Sequence, residues 1–130
     1  MSDAPYDGID VGWGWGTNDP GGNSAYMSRA RGYYDQPGNR IYETPTILRD
    51  TVIFGNRVHG VKRWYPDGGA IYHLSADPGA LIAENHIYDV PGGIGVYLDE
   101  GSRYVTVRNN VIDGVGLWVN LNAQDDARPR

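Results

Sequence analysis

Glu84-Asn85-His86-Ile87-Tyr88-Asp89-Val90 is one of three versions of a single phrase in this chain. The others are Gly55-Asn56-Arg57-Val58-His59-Gly60-Val61 and Asn109-Asn110-Val111-Ile112-Asp113-Gly114-Val115. Asn56, Asn85 and Asn110 stand 29 and 25 residues apart, and the aliphatic positions Val58, Ile87, Ile112 and Val61, Val90, Val115 keep the same register. A period in this range marks a stacked repeat. It also decides which side chains share a column, and so where distant residues can meet.

Two further sets of short segments interleave with the phrase. Gly8-Ile9-Asp10-Val11, Ala70-Ile71-Tyr72-His73, Gly95-Val96-Tyr97-Leu98 and Gly116-Leu117-Trp118-Val119 each run from a small residue into an aliphatic one. Thr51-Val52-Ile53-Phe54, Ala80-Leu81-Ile82-Ala83 and Tyr104-Val105-Thr106-Val107-Arg108 lead directly into the asparagine phrase. Apolar residues alternate with polar or small ones, most clearly Val105 and Val107 against Thr106 and Arg108, which is the pattern of a half-buried strand. No 3.6-residue period persists long enough for a sizeable helix. One repeat is therefore three strands separated by bends, and stacking in register predicts parallel sheets with strands about 4.8 Å apart. The expected fold is all-β, a right-handed parallel β-helix of about three to four coils. A β-sandwich is the competing arrangement of many short strands. The asparagines are expected at bends, where Asn tolerates left-handed backbone and stacked amides bond along the axis.

The chain of 130 residues reads as one domain, with an insertion over 13–50 and a frayed polar tail over 122–130. A smaller insertion spans Lys62 to Gly68. Net charge is −5 and there are no cysteines. Duplex nucleic acid is therefore an unexpected partner, and disulfides, thiolate metal sites and cysteine nucleophiles are excluded. No apolar run is long enough to span a bilayer, and no signal peptide is visible at the N-terminus. End coils without visible caps expose sheet edges, which predicts end-to-end self-association or a longer parent chain.

If Ile9, Ile71, Val96 and Leu117 face inward, then Asp10, Tyr72, Tyr97 and Trp118 face outward, with Asp99 and Asn120 two positions further on. Aromatic rings beside carboxylates suit sugars, whose C–H faces pack on rings while hydroxyls bond to acids and amides. Trp13, Trp15, Trp64 and Tyr65 are candidate walls of such a groove. Stiffening of the sheet by stacked aromatics is the competing role for Tyr72 and Tyr97. Asp10 and Asp99 fall about 10 Å apart along the axis. Side-chain reach brings them toward the about 6.5–9.5 Å that leaves room for a water between the acid and base of an inverting glycosidase. His73 belongs to the inward column and reads foremost as a core histidine. Asp67 is close enough in sequence to orient it as an acid–base or metal-binding pair. No cofactor or dedicated metal site is read; calcium at Asp99, Glu100 and nearby carbonyls is the one metal option weighed.

Ile9-Asp10-Val11-Gly12-Trp13-Gly14-Trp15-Gly16, Asp67-Gly68-Gly69-Ala70-Ile71-Tyr72 and Gly95-Val96-Tyr97-Leu98-Asp99-Glu100-Gly101-Ser102, together with the asparagine phrases, resemble the central part of bacterial right-handed parallel β-helix proteins. In fold these are similar to pectate lyases and β-helix glycoside hydrolases, and the likeness spans most of residues 8–120. The resemblance implies carbohydrate as partner, export from the cytoplasm to the periplasm or beyond, and Asp67, Asp99 and Glu100 as further acidic candidates. It also implies a longer chain with extra coils. Hydrolysis of a polysaccharide or oligosaccharide by paired carboxylates is the leading reading. β-Elimination, with Arg63, Arg103 or His73 as base, and a non-catalytic carbohydrate-binding or structural β-helix fragment are the alternatives.

Overall fold

The computed structural model describes residues 2–12, 48–99 and 102–121. The 13–50 insertion up to residue 47, with Trp13 and Trp15, lies outside them, as do Glu100 and the 122–130 tail. Among the described residues all regular structure is strand: β1 (Ile9–Val11), β2 (Val52–Phe54), β3 (Arg57–His59), β4 (Gly69–His73), β5 (Ala76–Ala83), β6 (His86–Tyr88), β7 (Val90–Leu98), β8 (Arg103–Arg108), β9 (Val111–Ile112) and β10 (Val115–Leu121).

Every third strand joins the same sheet. The sheets run β1-β4-β7-β10, β2-β5-β8 and β3-β6-β9, and every pairing is parallel. This order is compatible with a β-helix or solenoid and excludes a sandwich of antiparallel hairpins. Val58 pairs with Ile87 and Ile87 with Ile112, so the aliphatic column of the repeated phrase is a physical stack. Ile53, Val58, Ile71, Ile82, Ile87, Val90 and Val96 make the buried core, with Ile9, Val105 and Ile112 packed against it.

The bends share a conformation. Apart from Gly12, Lys62, Gly68, Ser75 and Gly92, left-handed backbone falls in three columns: Asp50, Gly79, Tyr104; Gly55, Glu84, Asn109; and Asp3, Gly60, Asp89, Gly114. Each column marks one corner of the coil. The ladder asparagines follow the left-handed residue instead of adopting that conformation themselves, which corrects the expectation for Asn56, Asn85 and Asn110. Their amides do run along the stack. Asn56 donates its backbone N and Nδ2 to Asn85 Oδ1 at 3.0 and 2.9 Å, and Asn85 donates the same two groups to Asn110 Oδ1 at 3.0 and 2.9 Å.

The last strand departs from the expected register. Val119, not Leu117, pairs with Val96, and Asn120, not Trp118, pairs with Tyr97, while Leu117 pairs with Ile94. The cause is a corner that shortens from coil to coil. Pro91, Gly92 and Gly93 separate Val90 from Ile94, whereas Gly116 alone separates Val115 from Leu117, and the register shifts there. Trp118 is therefore absent from the Tyr72–Tyr97 column. It is 69% exposed and lines a pocket with Val107, Ile112 and Val119 at the last coil. In the coil before, the same corner is enlarged to Lys62–Gly68, as the sequence spacing implies.

Close approach between the first two coils demands glycine at Gly12. Its φ is 91°, and a Cβ there would lie 1.9 Å from the Leu74 carbonyl oxygen. Gly12→Ala is expected to destabilise the protein by about 1–3 kcal/mol. The check is a urea midpoint that falls together with amide protection at Leu74, whose N–H donates to Val11 O at 2.8 Å.

Candidate active site

The β1-β4-β7-β10 sheet and its enlarged corner position the acidic and aromatic side chains. Asp10, Tyr72, Tyr97 and Asn120 occupy one column. The rings of Tyr72 and Tyr97 lie 5.3 Å apart at a tilt of 54°. Asp99 follows Tyr97 by two residues, so it shares the face, and Tyr72 donates its hydroxyl to Asp99 Oδ2. Asp99 is only 6% exposed. Burial, then the bond to Asp99, pushes the Tyr72 phenol well above its usual range, so it stays protonated and keeps donating.

The corner adds residues that the sequence reading did not single out. Asp7 Oδ1 accepts the N–H of Gly69 at 2.8 Å. Its Oδ2 is buried and has no hydrogen-bond partner. A Cβ at Gly68, where φ is 86°, would lie 2.0 Å from Asp7 Oδ1, so this carboxyl fits only because that residue is glycine. Burial pushes the Asp7 carboxyl up to about 7; the Gly69 bond and Lys62 oppose the rise, while Asp10 and Asp67 reinforce it. Asp10 is raised as well, first by desolvation, although the residue as a whole is exposed.

Tyr6 reports the clustering. Burial and the charges of Asp7, Asp67, Asp10 and Asp99 push its phenol up to about 12, so four carboxylates act on one hydroxyl. Lys62 Nζ lies 5.4 Å from the Tyr6 ring centre and has no hydrogen-bond partner. Burial lowers the Lys62 pKa against the pull of Asp7 and Asp67. Tyr65 packs edge-on against Tyr6 at 5.9 Å, and its neighbour Trp64 is 80% exposed at the rim.

His73 sits in the core at 1% exposure. The carboxylate against its ring is Asp77, at 3.3 Å from Nε2, instead of the expected Asp67. Asp67 turns back on its own corner and accepts the Gly68 N–H at 2.8 Å. The reason is the bend at Ser75, whose φ of 76° returns the chain toward the imidazole. Arg63 pairs with Asp89 at 2.7 Å, and Arg103 Nε is buried. Among the described residues no group of three or more His, Asp or Glu side chains is arranged to hold a metal ion.

A solved structure described as "Glycoside hydrolase" superposes on 97% of this chain with a TM-score of 0.53 and 20% sequence identity. The likeness is one of fold, and the chain spans about a fifth of the length of that protein, 21%. No family model and no curated protein sequence matches the chain.

The repeated Asp-Gly pair was the available signal for Asp7. Asp7-Gly8 and Asp67-Gly68 each precede a strand of the same sheet in consecutive coils. The pairing of Ile9 with Ile71 sets Asp7 level with Gly69, so Asp67 precedes that level by two positions.

Proposed function

We propose that this chain carries the catalytic face of a glycoside hydrolase, built on three sheets that close into a right-handed β-helix. The observation that carries the reading is Asp7. A carboxyl held near neutrality beside other acids is the arrangement that separates an acid from a base. Asp7 protonates the leaving oxygen of a glycosidic bond. Asp10, exposed and made more basic by desolvation, activates the attacking water. Asp99, oriented by Tyr72, holds a sugar hydroxyl, and Tyr97, Asn120, Trp64 and Tyr65 provide the rings and amide against which the sugar packs. Asp67 tunes Asp7 through its charge. Trp13, Trp15 and Glu100 are proposed contributors on the residues outside those described. The partner is an oligosaccharide or polysaccharide met outside the cytoplasm.

β-Elimination is the second reading, favoured by Lys62. A lysine with a lowered pKa and an unpartnered Nζ is a competent base beside a Tyr donor. Arg63 and His73 are engaged elsewhere, in an ion pair and in the core. A glycan panel read for new reducing ends and for ultraviolet absorbance distinguishes the two chemistries, because only elimination makes a carbon–carbon double bond. New reducing ends without absorbance are the expected result. Absorbance that Lys62→Met removes would replace hydrolysis by elimination, and binding without either signal would make the chain a carbohydrate-binding module.

A further inference from the structure

Ser102, partly exposed, and the buried His73 and Asp77 form a chain of polar side chains to which the proposed chemistry assigns no role. His73 and Asp77 are 1% and 0% exposed. A buried imidazole and carboxylate are expensive unless bonded, so their presence needs a reason. Ser102 Oγ lies 2.7 Å from the His73 carbonyl oxygen and 3.0 Å from His73 Nδ1. The carbonyl can only accept, so the serine's single proton goes to it. Ser102 Oγ therefore accepts from Nδ1–H. Nε2 then faces Asp77 Oδ2 at 3.3 Å.

The bond polarity excludes a nucleophilic serine, because the imidazole donates to Ser102 instead of taking its proton. What the chain does is clamp a turn. The His73 carbonyl accepts both the Ser102 hydroxyl and the Asp99 N–H, the latter at 2.9 Å. Ser102 N–H donates to Asp99 O at 2.9 Å. Asp99 and Ser102 are thus both bonded to one residue, His73, which is itself oriented by Asp77. Asp99 in turn meets the Tyr72 hydroxyl, and Tyr72 is the residue before His73 on β4.

We propose that Asp77, His73 and Ser102 are a positioning relay that fixes the Asp99 carboxyl against Tyr72. Its kinetic consequence rests on the hydrolytic reading above, while its geometric consequence does not. The test uses the whole chain with 15N-labelled histidine and backbone. In the wild-type protein, long-range 1H–15N spectra should show His73 Nδ1 protonated. Ser102→Ala should move the Asp99 amide and the Tyr72 ring signals, and Ser102→Thr should return them. On a hydrolysed glycan, Ser102→Ala should lower kcat/KM about tenfold or more, because the Asp99 carboxyl that holds a sugar hydroxyl is displaced. A bare Nδ1, or Asp99 and Tyr72 signals indifferent to Ser102→Ala, overturns the relay. Signals that respond as expected in a protein that cleaves no glycan support the relay and overturn the hydrolytic reading instead.

Discussion

Asn85→Ala is expected to remove about 3–5 kcal/mol of stability, the largest loss from any single polar side chain in the described residues. Asn85 is the middle rung of the amide ladder and is buried. Its Oδ1 accepts two donors of Asn56, and its Nδ2 donates to Asn110 Oδ1 and to the Ile53 carbonyl, the last two at 2.9 Å. Truncation leaves the part-buried Asn56 N–H and the buried Ile53 carbonyl without these bonds. Each abandoned group costs about 1–3 kcal/mol. Asn56 Nδ2 keeps Phe54 O at 3.3 Å, and Asn110 Oδ1 keeps the Asn85 backbone N–H, so the loss is not the sum of four bonds. Asn56→Ala, at the exposed end of the ladder, should cost only about 1 kcal/mol. Urea unfolding at constant slope measures both. Equal losses at the two positions would mean that the ladder is no more than a set of surface contacts.

The same ladder was legible in the sequence because three asparagines kept register with two aliphatic columns. In a stacked coil such coincidence has a cause: every corner needs one left-handed residue, and every interior position one apolar side chain. Glu84 and Tyr104 occupy left-handed corners without being glycine or asparagine, so the corners themselves carry a weaker signature than the ladder. The β10 register was not legible. Strand alternation repeats every two residues, so a shift of two still buries an aliphatic residue. Gly95-Val96 aligns with Gly116-Leu117 as plausibly as Val96 does with Val119. The corner that loses two residues carries no apolar mark, and it alone chooses. That Asp99, Tyr72 and Tyr97 share a face was legible because strand alternation predicts it. Asp7 was missed because its character comes from contacts 62 residues away, where Gly69 supplies its hydrogen bond and Gly68 the space. Asp77 was missed in favour of Asp67 for a similar reason. Both lie close to His73 in sequence, and only the bend at Ser75 decides which one reaches the ring.

Asp7→Asn should make the protein more stable above neutral pH and abolish its turnover of natural glycans, and the combination identifies an acid kept in place for chemistry. Burial holds the folded-state pKa at about 7, above the 3.8 of an unburied carboxyl. Between those values the folded state binds a proton that the unfolded state has released, so stability falls as pH rises through this window. Below the lower value both states are protonated and the penalty vanishes; above the upper value it is fully present. Partial exposure of Asp7 screens the effect, leaving about 1–2 kcal/mol that Asn should restore at pH 8. On the proposed hydrolytic reading, the same substitution removes the proton donor for a sugar leaving group, a contribution of about 10²–10⁴-fold in rate. An aryl glycoside whose phenolate leaves without protonation should recover most of that loss, while a natural glycan should not. Thermal or urea unfolding across pH 4–9 supplies the first measurement, and paired rates on the two substrates supply the second. A stability profile that keeps its wild-type slope in Asp7→Asn would move the titrating group elsewhere. Equal rate losses on both substrates would make Asp7 a binding residue and leave the proton donor to another of the four carboxylates that surround Tyr6.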